Sequence, residues 1–280
     1  MFPLALMCNV LGVSRSGYYQ HLKAQPSARR KRHESIKHEV IHFHKRSKGI
    51  YGYRKVAADI REEGENPCCG ETVRRIMREN RLCAKVKHKF VVTTQSRHSL
   101  PVSGNVLERD LHSDAPNQKW LADITYIRTL EGWVYLASVL DLFSRRIVGW
   151  SMSDRLDAEL ACSALNNALR HRMPESGLLH HSDRGVQYAS SAYQTILKRC
   201  GIVCSMSRKG NCWDNAGKES FFGKLKSEWI RGKIYATRAE ARREIAEYIE
   251  VFYNCQRRHA ALGYVSPVQF EKRGDGTTAA

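Results

Sequence analysis

The stretch WLADITYIRTLEGWVYLASVLDLFSRRIVGWSM, residues 120–152, decides the fold. Apolar and polar residues alternate through it with the period of two that is typical of β-strands. The alternation predicts strands over residues 120–127, 134–143 and 145–152, and Glu131 with Gly132 supplies the turn between the first two. Because the connections are short, the three strands are predicted to form an antiparallel meander.

After residue 152 the pattern alternates between helix and strand. Helices are predicted at residues 158–171 and 191–199. Strands are predicted at residues 178–183 and 202–207. An amphipathic helix is predicted over residues 238–253. A mixed five-stranded sheet with flanking helices, an α/β fold, accounts for this order. We assign this core to residues 117–272 and expect residues 273–280 to fray.

Residues 33–83 have the pattern of three helices in a small all-α domain. Val56, Ile60 and Val73 recur at helical spacing and are predicted to face its interior. Such a domain resembles a helix-turn-helix, whose last helix enters a DNA groove. The other face of that helix carries the candidate DNA contacts Arg74, Arg75 and Arg78. The alternative interpretation is an ordinary solvated basic face.

Two basic segments flank this helical domain. Residues 1–32 are predicted to form a helical hairpin followed by an exposed linker, AQPSARRKR. Residues 84–116 are predicted to form a second basic linker, either crossing a DNA substrate or acting as a plain tether. The hairpin is similar to part of a helix-turn-helix, and a hairpin without DNA contact is the alternative.

The charge of the chain indicates a polyanionic partner. The formal net charge is +18, with 46 basic and 28 acidic residues among 280. The excess is concentrated in residues 1–110, which contain 22 basic and 10 acidic residues. A phosphate-binding surface is expected of such a chain, although a ribosomal or membrane-surface protein would also be basic. No apolar run is long enough to span a bilayer and no secretion signal is recognisable, so we expect an intracellular protein.

The nine cysteines have no spacing typical of a metal site. CxxC does not occur in the sequence, and the adjacent Cys68 and Cys69 make a poor chelate even with His38 and His42 upstream. We therefore expect reduced thiols and no structural zinc.

Three acids stand out by their positions. Asp123 lies in the first predicted strand, and Asp183 follows the fourth in LLHHSDRGVQY. Glu219 lies in residues 207–229, SRKGNCWDNAGKESFFGKLKSEW, where Asp214 or Asn215 would cap a helix that begins near Ala216. Taken singly, each acid has a structural explanation: a strand acid satisfied by hydroxyls, a strand-end turn residue, and a first-turn glutamate favoured by the helix dipole.

Taken together, the motifs WLADITYI, YLASVLDLFSRRIVGW, HSDRGVQYAS, DNAGKESFFGKLKSE and YNCQRRHAALGYVSPVQFE resemble insertion-sequence transposases of the DDE class. The resemblance is to the second-reading-frame products, which are related to the retroviral integrase core, and it covers the chain from about residue 8 to about residue 270. It implies a ribonuclease-H-like fold for the core. It also implies that Asp123, Asp183 and Glu219 are the catalytic acids and hold Mg²⁺ or Mn²⁺.

The resemblance implies an activity and partners as well. The enzyme is expected to cut the ends of an insertion element with water and then to join the released 3′ hydroxyl to target DNA. A homo-oligomer on DNA is expected, together with a possible fusion to the upstream-frame protein by frameshifting. The cytoplasm of a bacterium, at the nucleoid, is the expected location. The terminal-repeat and target sequences do not follow from the chain.

Several polar residues near the acids have predicted roles. The candidate phosphate contacts are Arg184, Asn215, Lys218, Lys224 and Lys226. Asp141 is interpreted as a structural acid near the Ser144–Arg145 turn, and His180 and His181 as packed strand residues. Arg257, Arg258 and His259 are weaker candidates for DNA contact, and solvation of the helix end is the alternative. The alternative function is a non-catalytic DNA-binding regulator or a decayed copy of the transposase, and a structure-selective nuclease is a third.

Overall fold

The computed structural model describes residues 3–85, 103–108, 110–207 and 221–274 of the chain. The chain divides into two compact units, Met1–Ala84 and Lys85–Ala280. No helix of the described residues is both long and apolar enough to cross a membrane.

The first unit consists of five helices. They are α1 (Leu4–Val10), α2 (Arg15–Lys23), α3 (Ala28–Arg46), α4 (Tyr53–Glu63) and α5 (Gly70–Glu79). The predicted inward residues Val56, Ile60 and Val73 are buried, which confirms the helical periodicity. They form the core of α3 to α5 together with Ile36, Val40, Phe43 and Ile76.

Helix α3 begins earlier than the sequence pattern predicted. The side chain of Ser27 accepts a hydrogen bond from the Arg30 backbone N–H at 3.3 Å, so the helix begins at Ala28. The segment interpreted as an exposed linker, AQPSARRKR, is therefore helical in its basic part. A serine cap satisfies an otherwise unpaired N–H group of the first turn, which explains why a strongly charged run can start a helix here.

The second unit is built on the predicted five-stranded mixed sheet. Its strands are β1 (Lys119–Thr129), β2 (Gly132–Asp141), β3 (Ile147–Ser153), β4 (Leu179–Ser182) and β5 (Val203–Met206). They lie in the order β3-β2-β1-β4-β5. The first three are antiparallel, as the short turns predicted, whereas β4 and β5 run parallel to β1.

Helices cover the sheet. The α-helices are α6 (Ala158–Arg172), α7 (Val186–Ala189), α8 (Ser191–Arg199), α9 (Arg238–Glu247) and α10 (Pro267–Gly274). Two π-helical stretches, π1 (Leu225–Ile230) and π2 (Tyr248–Gln256), follow residues 221–224 and α9 respectively. Residues of α6 and α8 pack with Trp120, Ala122 and Val139 of the sheet in the main hydrophobic core.

The π-helical geometry of π2 replaces part of a predicted α-helix. Tyr248 and Tyr253 are five residues apart, yet both contact Phe221, with ring centroids at 6.4 and 4.8 Å. In an α-helix, residues five apart point about 140° away from each other. A π-helix brings them to one face, and the aromatic packing against residue 221 explains the departure from the predicted pattern.

Part of the segment predicted as the second linker packs on the sheet. The hydroxyl of Ser205 on β5 accepts hydrogen bonds from the backbone N–H groups of Val106 at 2.9 Å and Leu107 at 3.1 Å. The Met206 N–H donates to the Gly104 carbonyl at 3.2 Å. Residues 103–108 thus cover the outer edge of β5, and Leu107 is buried.

A buried polar cluster joins helix α10 to the sheet. Glu271 on α10 accepts hydrogen bonds from Ser144, Arg146 and Arg172 at 2.7, 2.7 and 2.5 Å. Arg172 also donates to Asp141 at 3.3 Å, and Asp141 accepts from the Asn117 and Phe143 backbone N–H groups. The structural interpretation of Asp141 is therefore confirmed. We call these residues the α10 clasp.

The two acids of the α10 clasp respond differently to burial. Burial raises the pKa of Asp141, and its backbone hydrogen bonds and Arg172 only partly oppose the effect. Burial also acts to raise the pKa of Glu271, but the hydrogen bonds from Arg172, Ser144 and Arg146 outweigh it and leave that pKa below its usual value. Glu271 is thus the acid whose charge stabilises the clasp.

The weaker DNA candidates at the end of the core are buried. Arg257 donates to Glu228 through Nε at 2.7 Å and again through its terminal nitrogen, and Tyr248 donates to the same carboxylate at 3.3 Å. Arg258 donates to the Tyr264 carbonyl at 2.8 Å, and His259 lies edge-on to Tyr253. The prediction of DNA contact for these three residues is therefore wrong, because they form the packing of the C-terminal helices.

We predict that Glu271→Gln lowers the free energy of unfolding of the second unit by about 3 kcal/mol at pH 7, because it breaks a buried ion pair. The folded-state pKa of Glu271 is lowered, so its contribution is complete above the unfolded value of about 4.3 and is lost as the pH falls through the folded value. The difference between the variant and the wild type should therefore shrink below about pH 4.

Urea unfolding followed by tryptophan fluorescence measures this difference, because all five tryptophans lie in the second unit. Glu175→Gln is the matched control, since Glu175 is exposed, and we expect it to change the stability by less than about 0.5 kcal/mol. Equal stability of Glu271→Gln and the wild type at pH 7 would contradict the assignment of the clasp.

Candidate active site

The pairing of β1 with β4 sets the positions of two of the three predicted acids. Lys119 lies opposite Leu179, and Leu121 lies opposite His181, in a parallel register. Continuing this register by two residues, beyond the last paired residues, would place Asp183, which directly follows β4, level with Asp123. Side chains at the same level of neighbouring parallel strands leave the sheet on the same side, and the strands are about 4.8 Å apart. The fold thus brings together two acids that are far apart in sequence.

Local hydrogen bonds orient both carboxylates. Asp123 accepts from the Ile124 backbone N–H at 2.8 Å, and Asp183 accepts from the Gly185 backbone N–H at 2.9 Å. Both side chains are partly exposed. A side chain on Gly185 would meet the Asp183 carboxylate at 3.0 Å, so the glycine gives this acid room at the strand end. The two acids are therefore oriented and accessible to a ligand.

A buried tyrosine lies close to both acids. Burial raises the pKa of the Tyr188 phenol well above its ordinary value, and the charges of Tyr193, Asp123 and Asp183 raise it further. Its hydroxyl oxygen is buried and has no hydrogen-bond partner among the described residues. A buried hydroxyl of this kind costs stability unless a further group pairs with it. The phenol is neutral at physiological pH and forms part of the floor beneath the acids.

A lysine from π1 lies near Asp123 and Tyr126 of β1. The Lys226 ammonium lies 4.9 Å from the centroid of the Tyr126 ring. Burial lowers the pKa of Lys226, and the charges of Tyr126 and Asp123 oppose that shift. Lys224, also predicted to contact phosphate, lies two residues earlier and is partly exposed. Both residues follow closely on the segment that contains the third predicted acid.

The remaining three predicted site residues, Glu219, Asn215 and Lys218, lie outside the residues that the structure describes. Within the described ranges, no three His, Cys, Asp or Glu side chains converge on a point where a metal ion could bind. The carboxylates of Asp123 and Asp183 nevertheless present the hard oxygen donors that Mg²⁺ and Mn²⁺ prefer.

Three further polar residues near the site are held by protein contacts. The Arg184 Nε donates to the Ser207 carbonyl at 2.6 Å, so this arginine joins the ends of β4 and β5. His180 pairs with the Tyr193 hydroxyl at 3.0 Å and His181 with the Ser205 hydroxyl at 2.9 Å. Both histidines are fully buried, which confirms that they are packed strand residues.

The first unit presents the predicted DNA-contacting arginines on α5. Arg74 lies 3.2 Å from Glu71, and Arg75 lies 3.9 Å from Glu79. These ion pairs are exposed and contribute little free energy, so they do not compete strongly with a phosphate. Arg78 is also exposed. The three side chains lie on the side of α5 opposite its buried residues.

Sequence reasoning assigned no role to Tyr188, Tyr126 or Trp133. Tyr188 lies in the motif HSDRGVQY, and Tyr126 follows Asp123 by three residues in WLADITYI. Strand and helix periodicity marks such aromatics as core. Only the exposure of Tyr126 and Trp133, and the unpaired hydroxyl of Tyr188 among the described residues, distinguish them.

Known protein families match both units. The Integrase core domain family matches residues 113–212 and again residues 219–274, and the HTH-like domain family matches residues 31–90. The chain is 46% identical over 268 residues to the insertion element IS600 uncharacterized 31 kDa protein of Shigella sonnei, covering 95% of this chain and 98% of that protein. It is 44% identical over 274 residues to transposase InsF for insertion sequence IS3A of Escherichia coli strain K12, covering 97% and 95%.

Two solved structures are similar to this chain at low sequence identity. The simian T-cell lymphotropic virus intasome, solved in complex with a PP2A regulatory subunit, matches 73% of this chain and 67% of that chain, with a TM-score of 0.48 and 17% identity. The HTLV-2 integrase catalytic core domain, solved in complex with magnesium, matches 57% and 99%, with a TM-score of 0.43 and 14% identity.

We predict that Tyr188→Phe raises the free energy of unfolding of the metal-free second unit by about 1 kcal/mol, because it removes a buried hydroxyl that has no partner among the described residues. Tyr193→Phe is the matched control. It removes a hydroxyl that pairs with His180, so it should lower the stability by about 1 kcal/mol. Urea unfolding by tryptophan fluorescence separates the two, and destabilisation by both variants would contradict the prediction.

Proposed function

This chain belongs to the insertion-sequence transposases that join an HTH-like domain to an integrase core domain, and we propose that it cuts and joins DNA through Asp123, Asp183 and Glu219. The observation that supports the proposal is the β1–β4 register, whose continuation by two residues would bring Asp123 and Asp183 level, together with the electrostatic interaction of both acids with Tyr188. Two carboxylates at this position offer oxygen ligands to divalent cations, and Glu219 is the third acid that we assign to the site.

The proposed reaction is phosphoryl transfer. Mg²⁺ or Mn²⁺, when bound, activates the attacking oxygen and stabilises the leaving oxygen. The protein holds the acids in place through the Ile124 and Gly185 backbone N–H groups. Water is the first nucleophile, which cuts the element end, and the released 3′ hydroxyl is the second, which attacks target DNA. Neither step requires a covalent bond to the protein.

We assign the substrate contacts to cations around these acids. Lys226 interacts electrostatically with Asp123, so a phosphate at the acids would lie within its field. Lys224 and Arg184 flank the same site, and Asn215 and Lys218 lie in the segment before it. Arg184 donates to the Ser207 carbonyl and directly follows Asp183 in sequence, so we assign it to a phosphate bound at that acid.

We propose that the first unit positions the element ends. Helix α5 would enter a DNA groove with Arg74, Arg75 and Arg78 towards the DNA. In this proposal residues 33–83 are the DNA-binding domain and residues 117–272 are the catalytic core. Residues 1–32 form the helical hairpin and first linker, residues 84–116 the second linker, and residues 273–280 the tail. The active form is a homo-oligomer on the terminal repeats and target DNA, with the upstream-frame protein as a fusion partner, in the bacterial cytoplasm.

A strand-transfer assay tests the catalytic assignment. A labelled oligonucleotide carrying the terminal repeat is incubated with the full chain and Mg²⁺ or Mn²⁺, with the upstream-frame protein present. Asp123→Asn, Asp183→Asn and Glu219→Gln should each reduce joined product by about 100-fold or more, because several kcal/mol of transition-state stabilisation is lost.

Asp114→Asn is the matched control, since the Asp114 side chain is exposed and pairs only with the exposed His112 among the described residues. It should join DNA at the wild-type rate. Binding of the terminal repeat without cutting by any of the proteins, wild type included, would favour the non-catalytic regulator instead.

A salt titration tests the DNA-binding assignment of α5. Replacing Arg74, Arg75 and Arg78 with alanine should weaken binding of the terminal repeat and reduce the slope of log Kd against log salt by about one for each phosphate that the variant no longer binds. Fluorescence anisotropy measures both quantities. Arg61→Ala, an exposed arginine on α4, is the control, and an unchanged slope in the triple variant would exclude α5 from the interface.

A further inference from the structure

Two aromatic side chains of the β1–β2 hairpin are exposed, whereas most aromatics of the second unit are buried. Tyr126 is 37% exposed and Trp133 is 43% exposed, against 0% for Trp120. Their ring centroids lie 5.1 Å apart with the planes at 89°, an edge-to-face contact. Single exposed apolar residues are ordinary, but two exposed aromatic rings in contact present a larger aromatic surface than either ring alone. We call Tyr126 and Trp133 the hairpin aromatic pair.

The strand register places this pair on one face of the hairpin. Tyr126 lies opposite Tyr135, and Arg128 lies opposite Trp133. Tyr135 packs towards Leu160 at the start of α6, so the helix covers the face only up to that point. Beyond it, the face is formed by Tyr126, Trp133 and the exposed Arg128.

The pair lies close to the acids along β1. Tyr126 is three positions after Asp123, which corresponds to about 10 Å along the strand. Stacked nucleotides rise by about 3.4 Å each along one DNA strand. A base on the pair would therefore lie within about three nucleotides of a phosphate held at Asp123.

The open edge of β1 connects the acids with the pair. Asp123 and Tyr126 leave the strand on opposite faces, because their separation is odd. Strand β4, however, pairs with β1 only at Lys119–Leu121, so residues 122–128 have no strand on that side among the described residues. Lys226 lies along this edge: its ammonium is 4.9 Å from the Tyr126 ring, and its charge interacts with Asp123.

The chemistry of the surface favours a nucleobase over an apolar protein side chain. Arg128 and Lys226 place cations at both members of the pair. Exposed aromatics interleaved with cations are the usual surface for unpaired nucleotides, in which the bases stack on the rings and the phosphates meet the cations. A surface that docks another protein copy would be depleted of charge at its centre.

We propose that the hairpin aromatic pair is a stacking site for an unpaired base of the DNA end, within about three nucleotides of the bond that is cut. The assignment rests on the proposed function. Because every base has a π-face, the site accepts any base and contributes affinity without sequence specificity. It would hold the terminal base pairs open and keep the strand to be cut along the edge that leads to Asp123.

Fluorescence of 2-aminopurine tests the proposal directly. The probe replaces one base at a time within three nucleotides of the cut, and binding is measured with the full-length Glu219→Gln variant so that the DNA stays uncut. We expect quenching at one or two positions. Tyr126→Ala and Trp133→Ala, added to this variant, should abolish that quenching and weaken binding by about 10-fold.

Two further variants distinguish stacking on the rings from a general weakening of DNA binding. Tyr126→Phe keeps the ring and should keep the quenching, whereas Leu130→Ala removes a 75% exposed residue of the same hairpin and should leave both binding and quenching unchanged. Circular dichroism melting checks that the alanine variants remain folded.

Two outcomes would overturn the proposal. Equal fluorescence at all positions means that no base stacks on the pair. A change of oligomeric mass in Tyr126→Ala with the quenching retained means that the pair joins copies of the chain. Fluorescence and oligomeric mass are measured on uncut DNA, so they do not depend on strand transfer. A wild-type chain that fails to transfer strands would contradict the proposed function but not the stacking site.

Discussion

The candidate site depends on a short set of backbone hydrogen bonds between β1 and β4. Three residue pairs, from Lys119 with Leu179 to Leu121 with His181, hold two distant segments in parallel register. A shift of one residue would put Asp123 and Asp183 at different levels and on opposite faces. The pairing also ends before Asp123, so β4 does not pair with β1 at the first acid. One constraint therefore sets the geometry of the acids.

Buried charges hold the C-terminal helices against this sheet. Glu271 in the α10 clasp and Glu228 beside Arg257 are each satisfied by arginines from elements far away in sequence. Such pairs are costly to desolvate and tolerate little change in geometry, so they specify how the helices dock. Because Trp229 of π1 packs against Tyr248 of π2, the Glu228–Arg257 pair also supports the position of π1.

The core unit uses its aromatic residues in two ways. Trp120, Tyr193 and Tyr248 are buried and build the packing under the acids and behind π1. Tyr126 and Trp133 lie on the same hairpin that presents Asp123, but beyond the reach of α6, and they remain exposed. The hairpin thus combines a buried end that fixes the fold with an exposed end suited to recognising a ligand. The Lys226 ammonium lies 4.9 Å from the Tyr126 ring at the exposed end of the hairpin and interacts electrostatically with Asp123.

The sequence by itself determined the strands and most of the helices of both units, because alternation and helical spacing are local properties of the chain. The family motifs, and not the periodicity, predicted Asp123, Asp183 and Glu219 as the catalytic acids. Only the tertiary structure decided that the two aspartates are level, that Arg257, Arg258 and His259 are buried, and that Tyr126 and Trp133 are exposed. Each of these depends on which distant segment packs against a residue, and a local pattern does not contain that information.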